Sequence, residues 1–242
     1  MIKNYIICSQ ILIALLLWSY SFEPVQAQER GIGVKGSYAS VSHLNNFRFL
    51  QGDIDLDFTP GFVRGFNAGL VFRRPISEGL RFQAEPSIAL MGAKYEDNFN
   101  FRGFNFRTDS RTNLTYFQVP LVLQISTVPP QRNVYGLPFT ETTYHFTGGI
   151  FGGYLLNAQF SGANSGAPVG VEFQGGFSEN VTDQYADFDA GIVVGAGFER
   201  GYSSKFGMET RFMMGVLNSG DLEAANFEPR NMAITVGAYI VF

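Results

Sequence analysis

Thr235-Val236-Gly237-Ala238-Tyr239-Ile240-Val241-Phe242 decides how this chain is read. Extended back to Asn231, the stretch keeps a period of two. Met232, Ile234, Val236, Ala238, Ile240 and Phe242 fall on one face, and Asn231, Thr235, Gly237 and Tyr239 on the other. In a β-strand successive side chains point to opposite faces, so this is a strand with one apolar face. Such a strand has two homes: the edge of a soluble sandwich, or the closing strand of a barrel in lipid. The rest of the chain separates them.

Seven further segments alternate in the same way. In 185–199, Ala186, Phe188, Ala190, Ile192, Val194, Ala196 and Phe198 oppose Tyr185, Asp187, Asp189, Gly191, Gly195, Gly197 and Glu199. In 205–217, Phe206, Met208, Phe212, Met214 and Val216 oppose Lys205, Glu209 and Arg211. In 80–92, Leu80, Phe82, Ala84, Ile88 and Leu90 oppose Arg81, Gln83, Glu85 and Ser87. Segment 111–125 sets Phe117, Val119, Leu121, Leu123 and Ile125 against Tyr116, Gln118 and Gln124. Segment 143–160 sets Tyr144, Phe146, Ile150, Tyr154, Leu156 and Phe160 against Thr143, His145, Thr147, Asn157 and Gln159. Segment 62–74 sets Phe66, Ala68, Leu70 and Phe72 against Asn67 and Arg73, and segment 31–41 sets Ile32, Val34 and Tyr38 against Lys35 and Ser37. Eight two-faced strands predict an all-β fold.

Connections near 75–79 and 201–204 are short, whereas 42–60, 94–110, 161–183 and 218–230 are long and polar. Transmembrane barrels have short periplasmic turns and longer external loops. The connection at 127–142, with Pro129-Pro130, is longer than a periplasmic turn should be. A soluble eight-stranded barrel is apolar inside and polar outside. The N-terminus points to the reverse. Lys3, the apolar run 5–18 around Leu15-Leu16-Leu17, and Val25-Gln26-Ala27 form the pattern of a cleaved secretory signal peptide at 1–27. The expected fold is therefore an eight-stranded antiparallel transmembrane up-and-down β-barrel over 28–242, apolar toward lipid and polar inside.

Composition agrees with this reading. The chain has 242 residues, 28 of them Gly and 25 Phe, and a net charge of −4, which argues against a nucleic-acid partner. Its one cysteine, Cys8, and its one tryptophan, Trp18, both lie in the leader. Thiol chemistry is not expected of the exported part.

Three stretches resemble the PorT-like outer-membrane barrel proteins of Bacteroidetes. They are Tyr116-Phe-Gln-Val-Pro-Leu-Val-Leu-Gln124, Gly148-Gly-Ile-Phe-Gly-Gly-Tyr-Leu-Leu156 and Asp187-Phe-Asp-Ala-Gly-Ile-Val-Val-Gly-Ala-Gly-Phe-Glu199. The resemblance implies an integral outer-membrane protein. It also implies, for the family's named member, a place in type IX secretion or gliding. The spacing of Thr235, Gly237, Ile240 and Phe242 resembles the C-terminal signal read by the barrel-assembly machinery, an expected partner during biogenesis.

Few residues suggest chemistry. Gly31-Ile-Gly33-Val-Lys-Gly36 matches a dinucleotide fingerprint, but lacks the preceding strand and following helix that the motif needs. Its glycines, like Gly148, Gly149, Gly152 and Gly153, suit a narrow, tightly curved barrel. His43, expected in the first long loop near Ser40, Ser42 and Asp53, and His145 are the only histidines. Neither sits in a metal-ligand spacing, so no cofactor, metal or catalytic residue is assigned. The polar faces bring together Arg81, Glu85, Asp187, Asp189, Glu199, Glu209 and Arg211 as a lumen charge network, read as a stabilising plug or a narrow polar channel. Phe99, Phe101, Phe104 and Phe106 flank Arg102-Gly103 in a hairpin above the membrane, a candidate contact for a protein partner or for lipid headgroups.

Overall fold

The computed structural model of the protein describes residues 31–51, 54–101, 104–127, 142–166, 173–201, 204–220 and 228–242. Its strands, in chain order, are β1 (Gly31–His43), β2 (Phe47–Gln51), β3 (Ile54–Phe58), β4 (Pro60–Gly61) and β5 (Val63–Ser77). Then come β6 (Leu80–Ala84), β7 (Ser87–Phe101), β8 (Phe104–Ser126) and β9 (Thr142–Gly166). The last are β10 (Phe173–Asn180), β11 (Phe188–Arg200), β12 (Lys205–Gly215) and β13 (Asn231–Val241).

Eight staves close into a ring of antiparallel pairs: β1, β5, β6 with β7, β8, β9, β11, β12 and β13. The ring closes where Gly33 of β1 lies opposite Val241 and His43 opposite Asn231. β6 and β7 are one stave broken at Glu85-Pro86. Proline has no N–H for the ladder, which explains the break. The carbonyl of Pro86 still accepts from the amide of Leu70 at 2.9 Å, and the amide of Glu85 donates to Pro120 at 2.9 Å.

The outward faces are apolar and exposed. Phe66, Leu70, Ile88, Ile150, Val194 and Ile234 all keep more than 40% of their surface open. A continuous exposed apolar band of this kind needs lipid as its solvent. No helix among the described residues is long and apolar enough to cross a membrane.

The two ends of the ring differ. The tight turn after Ser77, with Gly79 at φ 75°, lies at the same end as Gly33 and Val241. A positive φ there favours glycine. At the other end, β8 and β9 run 23 and 25 residues. Crossing a bilayer takes only about 9–11 tilted residues. The surplus continues as a sheet, β4-β7-β8-β9-β10, standing beyond the lipid-facing band. By the usual placement of short turns on the periplasmic side, this sheet is external.

Several expectations need correction. The stretch 161–183 is not a simple loop, because most of it is paired strand in β9 and β10, whereas 94–110 forms the expected hairpin between β7 and β8. In 42–60, β2 and β3 form a small hairpin of their own. A bulge lies between Thr115 and Tyr116, which pair with Asn157 and Leu155, so Leu156 is an extra residue. That extra residue flips the faces beyond it. Asn157 and Gln159, assigned to the lumen, are exposed, whereas Phe160, assigned to lipid, packs on the interior cluster. His43 is not a loop residue but the buried last residue of β1. The signal segment 1–27, Asp53 and the connection at 128–141 lie outside the described residues.

Candidate functional site

An eight-stranded barrel is just wide enough for its own side chains to fill. Here the filling is of two kinds. The periplasmic half holds charge, contributed by Lys35, Arg73, Arg81, Glu85, Glu199, Glu209 and Arg211. The external half is mostly apolar: Ala39, Val41, Met91, Leu114, Tyr116, Phe151, Leu155, Val193, Met213 and Ala233 form one cluster. The expectation of a lumen filled largely by polar groups therefore describes only the periplasmic half.

The charged half contains two knots. In the first, Arg211 grips Glu85 with both ends of its fork, at 2.8 Å and 2.7 Å, and also donates to Glu209 at 3.0 Å. Lys35 pairs with Glu85 at 2.9 Å and with Glu209. His145 lies 3.8 Å from Glu209. In the second knot, Glu199 accepts from Arg73 at 2.8 Å, from Arg81, and from the hydroxyl of Tyr239 at 3.2 Å. Lys205 approaches Glu199 at 3.7 Å from the periplasmic mouth, and the Arg73 guanidinium sits 5.4 Å from the centre of the Tyr239 ring.

The register explains why these groups meet. Gly195 and Gly197, the glycines of β11 opposite Arg211 and Glu209, leave room for them. A Cβ on Gly195 would lie 2.7 Å from Arg211, and one on Gly197 2.7 Å from Glu209. Gly207 makes space for Tyr239, because a Cβ there would lie 2.2 Å from the ring. Bidentate arginine–carboxylate pairs are the geometry that best compensates buried charge.

Of the residues expected in the lumen network, the structure joins Arg81 with Glu199, and Glu85 with Glu209 and Arg211. Asp187 is not among them: it is exposed, at a bend before β11. Its carbonyl accepts from the amide of Leu155 at 2.8 Å, which ties the bend to β9. Asp189 is buried but stands apart in the external half, hydrogen-bonded to Asn231 at 2.8 Å. Lys35 and Arg73 were legible as inward charges, but not as the partners that complete each knot.

The external half carries a thinner polar line. His43 Nδ1 lies 2.5 Å from the Tyr95 hydroxyl, and Asn231 donates to the Tyr116 hydroxyl at 3.3 Å. Ser42 does not turn toward the His43 ring. Its hydroxyl meets backbone carbonyls, those of Gly61 at 3.2 Å and His43 at 3.3 Å among them. Ser42 and His43 therefore do not form a nucleophile–base pair. Among the described residues no group of His, Cys, Asp and Glu is arranged to hold a metal.

Thr235 and Gly237 face the lumen, while Ile240 and Phe242 face outward, with Phe242 donating its amide to Ile32 at 3.0 Å. The strands bearing Phe99, Phe101, Phe104 and Phe106 pair Phe99 with Phe106 and Phe101 with Phe104 in backbone register. Their side chains lie outside what the structure describes.

A closed ring of eight antiparallel staves with a lipid-facing apolar band is an outer-membrane barrel. Residues 26–220 match the family model described as outer membrane protein beta-barrel domain, and the chain belongs to that family. Among solved structures it is similar to Ail, the attachment invasion locus protein of Yersinia pestis. Identity is 15% and TM-score 0.34, over 90% of this chain and 100% of that one. Neisserial surface protein A is similar at 11% identity and TM-score 0.31, over 87% and 97%. The translocator domain of the autotransporter NalP from Neisseria meningitidis is similar at 10% identity and TM-score 0.21, over 98% and 95%. No curated protein matches the sequence.

Proposed function

We propose that this outer-membrane barrel is a closed anchor that presents its external sheet for binding at the cell surface, with a structural and binding role instead of a catalytic one. The carrying observation is the length of β9, 25 residues, of which about 9–11 suffice to cross lipid. The surplus strand holds β10, whose outer edge is unpaired among the described residues. An open edge can accept an extended segment of another protein as an additional strand. The filled lumen supports an anchor over a pore: ion pairs occupy one half and apolar side chains the other. A dry apolar constriction excludes ions.

Two experiments test this reading. In planar bilayers the purified protein should give no conductance steps, and stepwise currents would favour the narrow-channel alternative. On intact cells, a photo-crosslinking residue at Gln174 or Ser178 of β10 should give a discrete protein adduct that the same probe at lipid-facing Val194 does not. Equal labelling at both positions, or none at β10, would remove the binding role.

A second reading follows from the PorT-like stretches Tyr116–Gln124, Gly148–Leu156 and Asp187–Glu199. It makes the protein an accessory of a type IX secretion or gliding complex, in a Bacteroidetes-like outer membrane reached through a cleaved leader. Co-purification with secretion components from native membranes would favour it.

A further inference from the structure

A recess of about 920 Å³ is lined by Tyr38, Phe62, Arg64, Lys94, Asp109 and Arg111, with β9 and β10 at its far side. It sits where the lipid-facing band gives way to the external sheet. On β5, Arg64 comes just before Phe66 and Leu70, both exposed to lipid, and on β7, Lys94 comes just after Ile88 and Leu90. Tyr38 and Phe66, directly paired, mark the upper rim of that band.

The charges in the recess are unbalanced. Lys94 and Arg111 lie directly opposite each other on β7 and β8. Like charges facing across a strand pair are destabilising unless something compensates them. Lys94 is compensated within the protein: it pairs with Glu96, and with Asp109 at 3.2 Å. Hydrogen bonds to Glu96 and then Asp109 hold the Lys94 ammonium pKa above its ordinary value. Arg111 has no acid. Its Nε reaches only the Ser161 hydroxyl at 3.4 Å. Arg64, exposed nearby, has no polar partner among the described residues. Two guanidinium groups thus share one recess with aromatic lining, and among the described residues its one acid, Asp109, is paired with Lys94.

We propose that this recess binds the phosphorylated headgroup of an outer-leaflet glycolipid, with Arg64 and Arg111 as its phosphate ligands. Guanidinium forks match phosphate oxygens bidentately, which a point charge does not. Tyr38 and Phe62 supply apolar surface for the root of the same lipid, continuous with the band that carries its acyl chains. This continuity is what selects a lipid over a free anion: a soluble phosphate would gain nothing from the aromatic side. A lipid held here would clasp β5, β7 and β8 at the base of the external sheet.

The test uses the full barrel in mild detergent, titrated with diphosphoryl lipid A and read by native mass spectrometry. One lipid per barrel is expected, with affinity falling as salt is raised. The double variant Arg64→Gln/Arg111→Gln should bind about tenfold or more weakly, and lipid A stripped of phosphate should lose as much with the unaltered protein. Ser161→Asp, which offers Arg111 an internal acid and keeps both arginines, should also weaken binding. Both residues are exposed, and heat-modifiable gel mobility confirms that each variant is folded. Unchanged affinity in the double variant, or for dephosphorylated lipid, would overturn the proposal. Displacement of the lipid by millimolar inorganic phosphate alone would overturn it in favour of a free-anion site.

Discussion

Replacing Glu85 by Gln tests whether the lumen charges hold the barrel together. Glu85 is 3% exposed and accepts two bonds from Arg211 and one from Lys35. The local knot is balanced, with Lys35 and Arg211 against Glu85 and Glu209. Glu85→Gln leaves two buried cations to share one carboxylate. Breaking a buried pair by removing one partner costs about 3–5 kcal/mol. The amide oxygen of Gln keeps one acceptor for Arg211, so the lower end applies, roughly a hundredfold in the folding equilibrium. Adding Lys35→Met removes the surplus cation and keeps much of its apolar stem. The pair of variants should therefore recover part of the loss, with a coupling of about 1–3 kcal/mol in a double-mutant cycle. Urea-dependent refolding into lipid vesicles, followed by the heat-modifiable band, measures both values. If Glu85→Gln stays within about 0.5 kcal/mol of the unaltered protein, the network is hydrated and adds no cohesion. If Lys35→Met only adds a further loss, charge balance is not what the knot supplies.

Other expectations concern single positions. Val194 is half exposed on the outer face of β11, so Val194→Arg should cost roughly 2–4 kcal/mol on the same refolding curve; wild-type refolding would mean that the faces are inverted. Gly207→Ala puts a methyl into the Tyr239 ring, which should displace it from Glu199 and cost about 1–3 kcal/mol; an unchanged urea midpoint would show that the ring has room. In intact cells a membrane-impermeant maleimide should label Gln159→Cys but not Phe160→Cys, and the opposite pattern would refute the bulge at Leu156. Deleting Phe242 should lower the amount of barrel inserted in the outer membrane more than it changes refolding in vitro; undiminished insertion at normal expression would sever Phe242 from assembly.

How far the fold is legible in the sequence depends on whether one physical rule acts alone. Between Asn231 and Phe242, and between Phe188 and Arg200, a lipid-facing and a lumen-facing row alternate without interruption, and period alone places every side chain. At Leu155-Leu156-Asn157-Ala158 the same period fits either phase, because two leucines stand side by side. Only pairing with Thr115 and Tyr116 decides which of them is extra. Asp187 follows the alternation of β11 in sequence, but the bend that hands its carbonyl to Leu155 takes it out of the strand. His43 reads as loop because Ser42 and Asn45 surround it, yet pairing with Asn231 extends β1 that far. The charged residues of the site could be picked out singly. Which cation meets which acid depends on stagger around the ring, a property of eight strands together.

The division of the lumen into a charged and an apolar half has a reason in the external sheet. Val181 and Tyr185, in the connection after β10, belong to the same apolar cluster as Leu114, Leu155 and Ala158 of β8 and β9. The connection is tied down by polar bonds as well: Val181 donates to Ala158 at 3.0 Å, and the Thr182 hydroxyl accepts from the Ala158 amide at 2.9 Å. The external half of the lumen is thus the foundation on which the sheet stands. Had charges filled it, the root of the sheet would have rested on hydrated groups able to shift. Close-packed apolar side chains resist such shifts. The periplasmic half is filled differently, by ion pairs whose long, directional contacts link β1, β6, β11 and β12 across the ring. A channel would need both halves open. The proposed anchor for a rigid external surface needs both filled, and buried side chains occupy both, ion pairs in one half and apolar groups in the other.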